Sequence, residues 1–107
     1  IKVLSRYATI DNRGIVTGDI DLSGAGTGST LYNKNLIKGS VRFGDESDYV
    51  SSSDGRIFGT VTLGGGDDSF EGASSSIRVD GGAGNDRLAG SNYNDTLTGG
   101  SGVDWLS

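Results

Sequence analysis

The sequence predicts an all-β fold, a parallel solenoid of about five coils of 18–21 residues each. Three observations carry that prediction. Apolar residues recur in two interleaved ladders with a common period, turns rich in glycine and aspartate separate them, and the chain lacks the material for a conventional core. Only 33% of its 107 residues are hydrophobic, while 20 are glycine, which loses more entropy on folding than any other residue. Cysteine is absent, so the staple that so thin a core requires must be a repeating backbone ladder, a metal, or both.

Taken in order, Ile1 to Ile10 mixes apolar and basic residues without glycine, and reads as a first strand or an end cap over the open edge of the stack. Asp11 to Gly14 reads as a turn. From Gly24 a nine-residue unit emerges: GAGTGSTLY (Gly24 to Tyr32, with Ser29 at its sixth position), FGDESDYVS (Phe43 to Ser51) and LGGGDDSFE (Leu63 to Glu71). The eighth position supplies the first ladder, Leu31, Val50, Phe70, Leu88 and Leu106, at spacings of 19, 20, 18 and 18. The second ladder is Ile20, Val41, Val61, Val79 and Leu97, at 21, 20, 18 and 18. Both ladders face inward in a two-sided solenoid. The early coils carry an extra apolar residue, Val16, Ile37 and Ile57, and read as wider coils that taper into an 18-residue roll.

The C-terminal third holds the most regular units: GGAGNDRLA (Gly81 to Ala89), GSNYNDTLT (Gly90 to Thr98) and GGSGVDWLS (Gly99 to Ser107). Six residues rich in Gly, Asn and Asp bend through left-handed conformations, and the next three alternate polar, apolar, polar as a short half-buried strand does. Two such units make a coil, so Asp48, Asp68, Asp86 and Asp104 fall in one column on one side. Stacked strands lie about 4.8 Å apart, close enough for carboxylates of adjacent coils to share an ion with ligand distances of about 2.3–2.6 Å. Oxygen donors and flexible geometry favour calcium over zinc or copper. The column offers up to three sites, between Asp48 and Asp68, Asp68 and Asp86, and Asp86 and Asp104. Asp95, on the other side, faces Ile77 one coil above and would need a partner in a later coil. Four stacked carboxylates without a cation would repel one another, so calcium binding and folding are expected to be one event.

These nonapeptides have the form G-G-x-G-x-D-x-U-x, with U a large apolar residue, and they resemble the RTX (repeats-in-toxin, haemolysin-type) β-roll. The resemblance is specific over Leu63 to Ser107, weaker over Gly24 to Thr62 and absent before Asp11. It implies a right-handed parallel β-roll in which backbone carbonyls of the glycine turns complete the calcium shell, here those of Gly66, Gly82, Gly84, Gly100 and Gly102. It also implies a secreted or cell-surface bacterial protein exported by type I secretion. Residues 1–42 are then a cap with metal-free coils and 43–107 the calcium-binding roll, one continuous solenoid belonging to a larger protein with neighbouring domains.

Composition narrows the function. Twelve Asp against two Glu and a net charge of −5 leave no basic stripe for nucleic acid. No run of about 18 apolar residues reads as a membrane span, and no signal peptide is visible. Histidine is absent, so Ser51 to Ser53 and Ser74 to Ser76 read as polar turns rather than nucleophiles. The acidic pairs Asp67–Asp68 and Asp45–Glu46 suit calcium or turns better than glycosidase chemistry. The expectation is a calcium-dependent folding and secretion module without catalysis of its own. The alternative is a carbohydrate- or surface-binding (adhesive) module, in which outward Tyr32, Tyr49, Arg87 and Trp105 contact a polysaccharide.

Overall fold

The structure, a computed structural model, describes residues 9–107 apart from Gly26. The expected cap over residues 1–10 lies outside the described residues up to position 8. Thr9 and Ile10 belong to the first strand of the stack. No helix occurs among the described residues, and every strand pairing is parallel.

The first sheet stacks β1 (Thr9–Asn12), β4 (Thr30–Asn33), β7 (Tyr49–Ser52), β10 (Ser69–Ala73), β12 (Arg87–Ala89) and β14 (Trp105–Leu106) in that order. Its register sets Ile10, Leu31, Val50, Phe70, Leu88 and Leu106 one above another. The second sheet stacks β3 (Ile20–Asp21), β6 (Val41–Arg42), β9 (Thr60–Thr62), β11 (Arg78–Asp80) and β13 (Thr96–Thr98). There Ile20, Val41, Val61, Val79 and Leu97 align. Both expected ladders are therefore the inward columns of the solenoid. Leu31, Val41, Val50, Val61, Phe70, Val79 and Leu88 are fully buried, and each contributes about 1.5–3 kcal/mol by leaving water.

The solenoid is not two-sided throughout. β2 (Ile15–Val16), β5 (Leu36–Ile37) and β8 (Arg56–Ile57) form a third sheet. The extra residues Val16, Ile37 and Ile57 are its aligned inward column. A further apolar column at the end of the second sheet, Leu22, Phe43 and Leu63, is also buried. Five residues before the next aspartate, the same position becomes Gly81 and Gly99 in the last two coils. The upper coils thus close their corner with an apolar side chain, where the lower coils keep only backbone.

Two expected turns begin as strands, with only Arg13 and Gly14, and Ser53, left to turn. Asp11 and Asn12 lie in β1, and Ser51 and Ser52 in β7. The reason is a buried polar column at the ends of these strands. Asn12 donates to Asn33 Oδ1 (2.9 Å), and Asn33 donates to Ser52 Oγ (3.1 Å) and to the Arg56 carbonyl (3.0 Å). Amides that look like turn formers in sequence here fasten coil to coil. Their hydrogen bonds to chain one coil away satisfy polar groups that burial would otherwise penalise.

Candidate metal centre

Each coil returns from the second sheet to the first through a glycine turn, and the aspartate column sits at its end. The turn bends at Gly64 and Gly66, Gly82 and Gly84, and Gly100 and Gly102, all with φ between +81° and +102°. Stacking demands glycine there as much as the backbone angle does. A Cβ on Gly82 would strike the Gly64 carbonyl oxygen, and one on Gly84 the Gly66 carbonyl oxygen. Gly100 and Gly102 meet the Gly82 and Gly84 carbonyls in the same way. The carbonyls of Gly64, Gly66, Gly82 and Gly84 therefore point along the stack, between turns.

The carboxylates stand in a regular ladder. The backbone N–H of Ser29 donates to Asp48 Oδ1 (2.7 Å) and that of Asp48 to Asp68 Oδ1 (2.7 Å). In turn Asp68 N–H donates to Asp86 Oδ1 (3.0 Å) and Asp86 N–H to Asp104 Oδ1 (2.9 Å). One oxygen of each carboxylate is thus fixed to the coil above. The other is left without a partner: Asp48 Oδ2, Asp68 Oδ2 and Asp86 Oδ2 are buried and unpaired, as is the Ser29 hydroxyl at the head of the column. Among the described residues these four are the buried side-chain polar atoms that lack a hydrogen bond, and all occupy one position of the repeat. In the lower coils the second carboxylate oxygen lies in its own turn. Asp86 Oδ2 sits where a Cβ on Gly81 would be, at 2.6 Å, and Asp104 Oδ2 at 2.5 Å from the same point on Gly99.

Burial shifts the titration of these groups. Asp68 is pushed up to about 8, first by burial and then by Asp48 and Asp86 on either side, against the lowering effect of the Asp48 N–H. Burial likewise pushes Asp48 up to about 6, with Glu46 adding to it, and raises Asp86, with Asp104 adding to it. An unpaired buried carboxylate oxygen is costly, and a divalent cation is the partner that offsets it. The donor set fits a hard cation: carboxylate oxygens from adjacent coils, with glycine carbonyls pointing between the same turns. Among the described residues no three acidic side chains converge on a point, so carbonyls would supply the rest of a six- to eight-oxygen shell.

Asp95, on the other side, also takes an N–H from the coil above and adds local bonds. Its Oδ2 accepts the Ser91 N–H (2.7 Å), while Oδ1 accepts the Ser91 hydroxyl (2.6 Å) and the Ile77 N–H (3.1 Å). Burial, the largest single influence, raises its pKa, but these bonds together outweigh it and hold the group below the usual carboxylate value. Both oxygens thus accept hydrogen bonds, and Asp95 stands beneath Ile77 on the side away from the column.

A second ladder beside the column went unread in the sequence. Asp67 N–H donates to Ser47 Oγ (3.2 Å), Asn85 N–H to Asp67 Oδ1 (2.8 Å) and Val103 N–H to Asn85 Oδ1 (2.8 Å). It runs in the opposite sense, from each coil to the side chain above. The recurrence of short polar residues immediately before Asp48, Asp68 and Asp86 was its only signal. The outward aromatic face is also resolved. Tyr32 and Tyr49 pack edge to face at 6.2 Å, and the Tyr49 hydroxyl donates to Glu71 (2.7 Å). Ser69 and Arg87 separate Tyr49 from Trp105 in that column, so the aromatics do not form a continuous row.

The family model of the RTX calcium-binding nonapeptide repeat (4 copies) matches residues 80–107. That segment contains Asp86, Asp95 and Asp104 with the glycines Gly82, Gly84, Gly100 and Gly102. No curated protein and no solved structure matches the chain.

Proposed function

We propose, from the premise that residues 80–107 are RTX calcium-binding repeats set on a parallel β-solenoid, that the chain is a calcium-dependent folding module of a larger secreted bacterial protein. The observation that carries this reading is the register of unpaired buried oxygens on Asp48, Asp68 and Asp86. When bound, calcium supplies positive charge between the turns and coordinates those oxygens. The chain's own residues do the rest: the N–H groups of Ser29, Asp48, Asp68 and Asp86 orient the carboxylates, and the glycine turns bring carbonyls close. In this reading the module has no catalysis of its own.

Extracellular calcium modules bind with Kd of about 10⁻⁴–10⁻³ M. At low intracellular calcium the lower coils, which lack the apolar corner, stay open, and the chain remains a substrate for export. Outside the cell, calcium closes them. Far-UV circular dichroism of the EDTA-stripped chain during a calcium titration tests this. A cooperative gain of β signal at about millimolar calcium, lost in Asp86→Ala, supports it. A spectrum that ignores both EDTA and calcium overturns it, because the apolar columns would then suffice alone.

A further inference from the structure

The third side of the solenoid stops after three coils. In the next coil Gly72, at φ +52°, forms a bulge that shifts the register between Glu71 and Ala73. Ser74 follows, its N–H and hydroxyl both bonded to the Gly55 carbonyl (3.0 and 2.9 Å), and the chain then cuts across to Ile77 and β11. No strand of the third sheet lies beneath β8. β8 and the residue after it, Phe58, therefore form a ledge, and the Phe58 ring stands 63% exposed on it.

Two clefts meet at that ring. One, of about 420 Å³, lies under the ledge with Ser40, Thr60, Asn94, Thr96 and Arg78 in its walls. The other, of about 460 Å³, runs along the third sheet past Lys34, Asn35, Arg56 and one acid, Asp54. Both volumes fall within the usual range for small-ligand sites, about 300–1,000 Å³. Lys38 occupies the position one coil above Phe58, since Ile37 pairs with Ile57. Lys38, Arg56 and Arg78 are exposed, and none is in an ion pair among the described residues. On a chain of net charge −5 this gathers cations at one corner.

We propose that this ledge binds an acidic polysaccharide bearing carboxylate groups. An exposed aromatic ring offers a flat apolar face to one sugar ring, and the hydroxyl and amide groups of Ser40, Thr60, Asn94 and Thr96 suit sugar hydroxyls. Lys38, Arg56 and Arg78 flank the ring where uronate carboxylates of neighbouring sugars fall, Arg being able to grip a carboxylate with two donors. A single ring among polar walls does not fit a lipid surface, and the net negative charge opposes nucleic acid. The inference rests on the folded solenoid and not on the aspartate column.

The test is calorimetric titration of the calcium-loaded chain with a galacturonic acid hexamer at low salt, with hexamer injected into the same calcium buffer as the blank. A neutral glucose hexamer and phosphatidylglycerol vesicles run in parallel. Binding of the acidic hexamer should fall about tenfold in Phe58→Ala and survive in Phe58→Tyr, as expected for an anchoring aromatic. Arg56→Gln and Arg78→Gln should each weaken it several-fold, and salt should screen it. All these side chains are exposed, so each variant should keep the wild-type calcium-loaded circular dichroism spectrum. Failure of the acidic hexamer to bind, equal binding of the neutral hexamer, binding to the vesicles alone, or indifference to both Phe58→Ala and Arg78→Gln overturns the proposal. None of these outcomes bears on the calcium titration, which reads folding.

Discussion

Asp68→Asn should have opposite effects on stability with and without calcium. Asparagine preserves the shape and keeps an oxygen to accept the Asp48 N–H, now 2.7 Å from Oδ1, but it removes the buried charge. Without calcium, the folded chain holds Asp68 protonated up to about pH 8, while the unfolded chain releases that proton near 3.8. A folded pKa raised above the unfolded one gives stability that is full below 3.8 and is lost as pH rises towards 8. At pH 7 the loss spans about three pH units at about 1.4 kcal/mol each, so on the order of 4 kcal/mol as an upper limit. The calcium-free variant escapes it and should be the more stable protein by up to that amount. Its advantage should grow from pH 4 to pH 8 and vanish in acid. With calcium the order reverses. Asp68 faces two inter-coil sites, and a site at a hundredfold excess over its Kd contributes about 2.7 kcal/mol. Losing both removes about 5 kcal/mol, more than the charge removal returns. Urea denaturation followed by circular dichroism at several pH values, in chelator and in calcium, measures both signs. A variant less stable than wild type in chelator, or an advantage that shrinks as pH rises, would refute the buried unpaired oxygen on which the reasoning stands.

Other expectations follow from the same geometry. Asn33→Ala breaks the amide column linking Asn12 to Ser52 and should cost about 2–3 kcal/mol, by the same amount in chelator and in calcium, because the column lies away from the aspartates. Gly82→Ala drives a methyl group into the Gly64 carbonyl at a φ of +81°; a loss of at least about 2 kcal/mol should appear as a lower thermal midpoint in calcium. Asp95→Asn should leave the calcium stoichiometry measured by calorimetry unchanged, since both oxygens of Asp95 already accept hydrogen bonds, whereas Asp104→Asn should reduce it.

How much of this was legible depended on whether period and chemistry coincided. The ladders through Phe70 and Val79 were readable because alternation puts one large apolar residue in each short strand, and the strands pair in the register that the spacing gives. The aspartate column was readable for the same reason. The third sheet was not. Its strands are two residues long, and Ile15, Leu36 and Arg56 beside its inward column have no common character. Asn12 and Ser52 were misplaced because a short polar side chain serves a turn and a buried column equally well, and only neighbours one coil away decide between them. Asp95 shows the converse. Its repeat fits the pattern, yet Ser91 four residues earlier satisfies the carboxylate, a local contact that the repeat does not encode.

The aspartate ladder also gives the stack a grain. The N–H at the sixth position of each turn finds its acceptor in the following coil, never in the preceding one. A coil is therefore unfinished until its successor docks, and a shortened chain responds differently at its two ends. Trimming coils from the N-terminal side removes donors and leaves every remaining carboxylate in place. Trimming from the C-terminal side takes away the carboxylate that the last retained turn depends on, and with it half of a cation's acidic ligands. Erosion should advance up the stack from the later coils and slow at the three-sided coils, whose corners bury Leu22, Phe43 and Leu63.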